Sequence, residues 1–141
     1  MRVVSWIMTL FLSGCATRGE VIKEVPLGLS EIRKIIVSVV GEAQVDATGR
    51  ELVSKYFDAR GSSAEEARSG KERMYTKVFI AGDRRPYDIY VDVIVEVRNT
   101  NGGYSKAGIN VPETERVSKK IRERLNQSLE KRNLIDDFRP F

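Results

Sequence analysis

Tyr87-Asp88-Ile89-Tyr90-Val91-Asp92-Val93-Ile94-Val95-Glu96-Val97-Arg98 is the stretch on which the fold turns. Tyr87, Ile89, Val91, Val93, Val95 and Val97 alternate with Asp88, Tyr90, Asp92, Ile94, Glu96 and Arg98. Successive side chains of a β-strand point to opposite faces, so this strict period of two predicts a long strand with one buried face. Immediately upstream, Met74 to Ala81 (MYTKVFIA) is the expected antiparallel partner. Gly82-Asp83-Arg84-Arg85-Pro86 joins the two, and its Gly and Pro suit a tight reversal. Downstream, Asn99-Thr100-Asn101-Gly102-Gly103 is a second turn signal, after which Tyr104 to Gly108 can add a short strand. Such a sheet needs a covering layer for its apolar face.

Two helices are predicted to supply it. After Pro112, a residue tolerated in a first helical turn, Val117, Ile121, Leu125 and Leu129 recur every four residues between charged positions. Near the other end, Leu29, Ile32, Ile35, Ile36, Val39 and Val40 form one stripe at a period near 3.6, with Ser30 placed to cap it and Gly41 to end it. The β-branched run KIIVSVV is also compatible with a strand. Residues 51–57 (ELVSKYF) alternate and predict a first strand. Residues 58–72 hold nothing apolar larger than alanine and read as a loop. Ser63-Ala64-Glu65-Glu66 within it spells a capping box, which predicts one or two peripheral, mobile helical turns. A solvated connection is the plain reading of this loop, and a lid or docking element the alternative. The expected architecture is therefore an α+β two-layer sandwich: an antiparallel sheet of 3–4 strands with two helices on one face, in the order α-β-β-β-(β)-α, within one domain over residues 28–141.

Composition narrows the chemistry. The 141 residues include one cysteine and no histidine. Histidine-based nucleophile systems, histidine-ligated zinc, imidazole acid–base catalysis and an intrachain disulfide are all excluded. No cofactor is implied, and the expectation is that the protein is not an enzyme. The 24 basic and 20 acidic side chains leave too small a surplus for a nucleic-acid footprint.

The cysteine is informative through its position. Met1-Arg2 forms a minimal positive start, Val3 to Phe11 a short apolar run, and Leu12-Ser13-Gly14-Cys15 closes it. The run is too short to span a bilayer as a helix, which takes about 20 apolar residues, and it fits the core of a cleavable export signal. LSGC resembles the lipobox of bacterial lipoproteins, in which small residues precede an acylated cysteine that becomes the mature N-terminus. That resemblance implies a cleaved signal peptide over residues 1–14, lipidation of Cys15 and an envelope location. Ala16, rather than an aspartate, follows the cysteine; in the family this implies the outer membrane, with the domain facing the periplasm. Cleavage removes Arg2 and leaves 23 basic against 20 acidic residues. Several acyl chains anchor firmly without help from a basic patch. Residues 16–27 (ATRGEVIKEVPL), with Gly19 and Pro26 and no sustained period, read as a tether reaching about 40 Å. The helix-meander-helix order is similar to that of the lipoprotein that plugs the lipopolysaccharide translocon, although Ala16-Thr17-Arg18-Gly19 departs from that family's start.

Other constellations have plainer explanations. Asp88, Asp92 and Glu96 share a strand face, but four residues along a strand is about 13 Å, too far for a carboxylate pair; Arg73 or Lys77 across the sheet are the expected partners. Asp136-Asp137 offers too few oxygens to hold calcium, so no metal is implied. Ser128-Leu129-Glu130-Lys131 has the SxxK spelling without the companion motifs. Arg84 and Arg85 in the turn are placed to meet a phosphate or lipid headgroup. On the sheet's second face, Tyr90 and Ile94 should lie beside Tyr75 and Phe79, an apolar patch with a charged rim. The alternative is that the fourth strand, the long loop or Phe138 and Phe141 cover it. Two functions fit: a noncatalytic lipoprotein that docks another envelope component, expected to be a protein, or a periplasm-facing carrier or chaperone that binds a small or lipidic ligand, lipopolysaccharide among them, between sheet and helices. In cells fed labelled palmitate, the chain should incorporate label and Cys15→Ser should abolish it; label that persists in the variant contradicts lipidation at this residue.

Overall fold

The structure is a computed structural model that describes residues 19–137, the last four by backbone alone. The expected signal peptide over residues 1–14, Cys15, Phe138 and Phe141 lie outside the described residues. Along the chain come β1 (Glu20–Val25), α1 (Leu29–Val40), β2 (Ala43–Val45), β3 (Glu51–Ser54), α2 (Ala64–Ser69), β4 (Glu72–Ala81), β5 (Tyr87–Arg98), β6 (Tyr104–Ile109) and α3 (Val111–Asp137). The class is α+β, as expected, but the antiparallel sheet has six strands rather than three or four.

The expected long strand is β5, and it organises the rest. On one side it pairs with β4 from Glu72↔Val97 to Ala81↔Asp88. Its other side is divided: β1 pairs with it from Val25↔Tyr87 to Glu20↔Val91, and β6 from Ile94↔Ile109 to Arg98↔Tyr104. Val93 falls between the two partners. There its N–H donates to Thr114 Oγ1 at 2.9 Å and its carbonyl accepts from the Asn110 N–H at 2.9 Å. The first turn of α3 thus closes the ladder, satisfying backbone groups that burial would otherwise make costly. Beyond β4 the sheet continues through β3 to β2.

Residues 20–27 are not a tether. Ile22, Val25 and Leu27 are buried, Leu27 completely. Their alternation is hidden because β1 shifts register between Ile22 and Val25, which puts two core residues three apart. Glu24 adopts a left-handed φ of 56° in this bulge, and its N–H donates to the Asp88 carboxylate at 2.9 Å. β2 escapes the pattern for another reason: three residues at a sheet edge carry almost no periodicity. β3 is shorter than expected, ending at Ser54, with Phe57 bridging separately to Met74.

α1 and α3 lie together on one face. Ile32 and Ile36 of α1 and Val117, Ile121 and Leu125 of α3 pack on Leu52, Val78, Ile80, Ile89, Val91 and Val93, with Leu129 partly buried. Gly28, not Ser30, occupies the N-cap of α1 and makes no side-chain cap bond, whereas Gly41 ends the helix with φ 79°. Asn110 caps α3, its Oδ1 accepting from the Glu113 N–H at 3.1 Å. Ser128 of the SxxK spelling hydrogen-bonds the Glu31 carboxylate and so ties the two helices together. Buried Ser118 Oγ has no partner among the described residues. No described helix is long and apolar enough to cross a membrane.

The 58–72 segment contains a third helix, α2, with both capping-box bonds between Ser63 and Glu66. Asp58 orders the preceding turn by accepting from Ser62 Oγ at 2.8 Å and from the Ser62 and Arg60 N–H groups at 3.0 Å. Those bonds hold its carboxyl well below the usual range, at about 2. Ala67 is fully buried, so α2 is docked rather than merely peripheral.

Membership of residues 20–27 in the fold has a measurable consequence. Leu27→Ala should lower unfolding stability by about 2–5 kcal/mol, the range for emptying a buried leucine site. Denaturant titration reads this directly, and an unchanged midpoint would mean the segment is outside the core.

Candidate functional site

The sheet face opposite α1 and α3 is built from the outward residues of β4 and β5. Tyr75 is directly opposite Ile94 and Phe79 directly opposite Tyr90. The six residues expected to bind a partner separate into two groups along this face.

At the end near α2, much of the apolar surface is covered. Ile94 is only 5% exposed, with Ile109 of β6 opposite it. Tyr75 is half-buried, with the Tyr56 ring edge-on at 5.8 Å between centroids. Its phenol is pushed above the ordinary range by burial first, then by the nearby Glu96 charge. The closure is organised by Arg73, whose guanidinium carbon lies 4.0 Å from the Tyr56 ring centre and 3.5 Å from that of Tyr104. Arg73 Nε donates to Glu96 at 2.8 Å and Nη1 to the Arg68 carbonyl at 2.9 Å. Tyr104 in turn donates to the Gly70 carbonyl at 2.7 Å. One arginine therefore joins β4, β5, β6, α2 and the segment before it, using a planar cation that stacks on two rings while still forming edge hydrogen bonds. Of the possible coverings for this face, the fourth strand and the long loop both take part.

At the hairpin end the surface is open. Phe79 is 43% and Tyr90 40% exposed, and their rings pair at 6.4 Å in a tilted arrangement. Arg84 and Arg85 are exposed in the adjoining turn. Arg50, at the start of β3, fixes the base of that turn by donating to the Gly82 carbonyl. Two exposed aromatics on the strands and two exposed arginines in the turn thus belong to one paired hairpin.

The acidic row has structural employment. Asp88 holds the β1 bulge and Glu96 pairs with Arg73, as expected for Glu96. Lys77 pairs with Glu51 at 3.0 Å rather than with Asp92. Asp92 packs against Gly19, where a Cβ would collide with its Oδ1. Among the described residues no three metal-ligating side chains converge. The side chains of Asp136 and Asp137 lie outside the described residues.

Two of the grooves among the described residues bear on function. One of about 600 Å³ runs over the outer face beside α2, lined by Tyr56, Tyr75, Lys77, Glu51, Arg68 and Glu96. The other, about 850 Å³, opens between the end of α1 and the start of α3, with Met74 and Thr76 of the sheet, Phe57, Val39, Val40 and Val117 around it. No local pattern announces this second groove, because its lining comes from four separate segments. No known family profile, curated protein or solved structure matches the chain.

The Arg73 clamp is testable. Arg73→Leu leaves Glu96, only 18% exposed, without its cation and should cost about 3 kcal/mol. Arg73→Lys should recover only part, because an ammonium cannot stack between two rings and hydrogen-bond in the same plane. Thermal unfolding of the pair of variants checks the order; equal stability of Lys and Arg at this position would contradict a stacking role.

Proposed function

We propose that the protein is a noncatalytic, membrane-anchored lipoprotein of the bacterial cell envelope that docks a second envelope component through the hairpin end of its open sheet face. The exposed Phe79–Tyr90 pair, flanked by Arg84 and Arg85, carries this reading. Aromatic and arginine side chains contribute most to protein–protein recognition, because they bury large areas at low entropic cost and retain polar edges. Here they stand on a paired β-hairpin, so little ordering is required on binding. The lipobox-like LSGC supports anchoring through Cys15, and Ala16 supports an outer-membrane position facing the periplasm.

A second reading has its own observation. The groove between α1 and α3 has an apolar lining and a charged rim that includes Lys55, Asp58 and Arg116, which suits a carrier of a lipidic ligand. The core beneath the helices is otherwise filled, since Ile32, Ile36, Val78 and Ile121 are fully buried. Docking through the sheet is therefore the preferred function.

Photocrosslinking in intact cells separates the two. A photoreactive residue at Tyr90 should capture one envelope protein, and Phe79→Ser with Arg84→Glu should eliminate that adduct without altering membrane attachment. No protein adduct at Tyr90, together with a lipid that stays bound to the detergent-purified chain, would replace docking by carriage.

A further inference from the structure

The fold begins at Glu20, so Gly19 already touches Asp92 and only residues 16–19 separate Cys15 from the sheet. Four residues reach about 14 Å at most. Accepting the lipid anchor proposed above, the domain is held against the bilayer instead of ranging about 40 Å from it, and it must turn one surface toward the headgroups. The chain enters beside α3, since Glu20 lies 3.9 Å from Arg122 of that helix.

The helix layer has the charge for this contact. On α3, Lys120, Arg124, Gln127 and Lys131 follow one another at steps of four, three and four, which makes a single ridge. All four are exposed. α1 runs antiparallel beside it: Glu31 meets Ser128, while Val39 and Val40 share a groove with Val117. Lys34 is exposed on α1. Among the described residues, none of Lys34, Lys120, Arg124 and Lys131 forms an ion pair. The Debye length at physiological salt is about 8 Å, so charges held this close to a membrane are felt.

We infer that the α1–α3 layer lies on anionic phospholipid headgroups through this basic ridge, which orients the domain and turns Phe79 and Tyr90 away from the membrane toward a partner. The acyl chains supply attachment, and the ridge supplies orientation. Positively charged side chains near an anionic surface are attracted over about that screening distance, and the attraction falls with added salt.

The test uses the full lipidated chain, whose acylated Cys15 leaves no other thiol. Gln127→Cys reports the ridge and Gln44→Cys, on β2 at the outer-face groove, reports the opposite side; neither substitution changes charge. Each variant is reconstituted in vesicles of phosphatidylcholine alone or of phosphatidylcholine with phosphatidylglycerol, and its labelling rate by a bulky maleimide is measured. Labelling of the Gln127→Cys variant should be several-fold slower in the anionic vesicles, return to the neutral-vesicle rate in high salt, and lose its lipid dependence when Lys120→Glu and Arg124→Glu are added. Labelling of the Gln44→Cys variant should be the same in both. Equal rates for vesicle-bound Gln127→Cys in the two lipids, or slowing of Gln44→Cys instead, overturn the orientation while leaving the anchor intact. Protein that fails to float with either vesicle overturns the anchor and the orientation together.

Discussion

The edge of β5 is the constraint on which the molecule depends. A twelve-residue strand in the middle of a sheet exposes backbone donors and acceptors on both sides, and every buried one needs a partner. β4 serves one side in full. No single strand serves the other. β1 from far upstream and β6 from just beyond the next turn divide it, and the unfilled position at Val93 is closed by Thr114 and Asn110 at the start of α3. This one solution fixes where the N-terminal segment must enter, where α3 begins and in which direction it crosses the sheet.

The same arrangement separates the two faces. Since α3 starts at the gap and runs past β1, its stripe from Val117 to Leu129 covers the valine-rich face together with α1. The opposite face receives no long helix among the described residues. It is covered at one end by the Arg73 stack and left open at the other, where the aromatic pair and turn arginines stand. The domain is thus two-sided, with a basic helical layer and an aromatic patch on the sheet. With the lipid anchor proposed at Cys15, a connection this short would let the first face a membrane and the second the proposed partner.

Much of this was legible in the residues because the strongest signals are local. The alternation of Tyr87–Arg98, the stripes of α1 and α3, and the Ser63–Glu66 capping box each report a structure stabilised within a few residues. What stayed hidden is non-local. β1 escapes because its bulge, held by Asp88 64 positions away from Glu24, breaks the period that identifies a strand. Ser30 looks like a cap only while Leu27 is assumed to lie outside the fold; with Leu27 buried, the chain is already turning at Gly28. The patch was correctly paired across β4 and β5, yet half of it is covered by Tyr56 and Ile109, whose arrival depends on how β3 and β6 are placed. The groove between α1 and α3 likewise exists only once four separate segments meet around Met74.

The fold requires β5 to be closed along its second side from residue 20 onward. Residue-resolved hydrogen exchange on the full chain tests this most directly. The Val93 amide and the 20–25 segment should exchange as slowly as the paired amides of β4, opening only with global unfolding. Exchange of residues 20–25 at free-chain rates, with a rapidly exchanging Val93, would contradict that closure and return the segment to a tether.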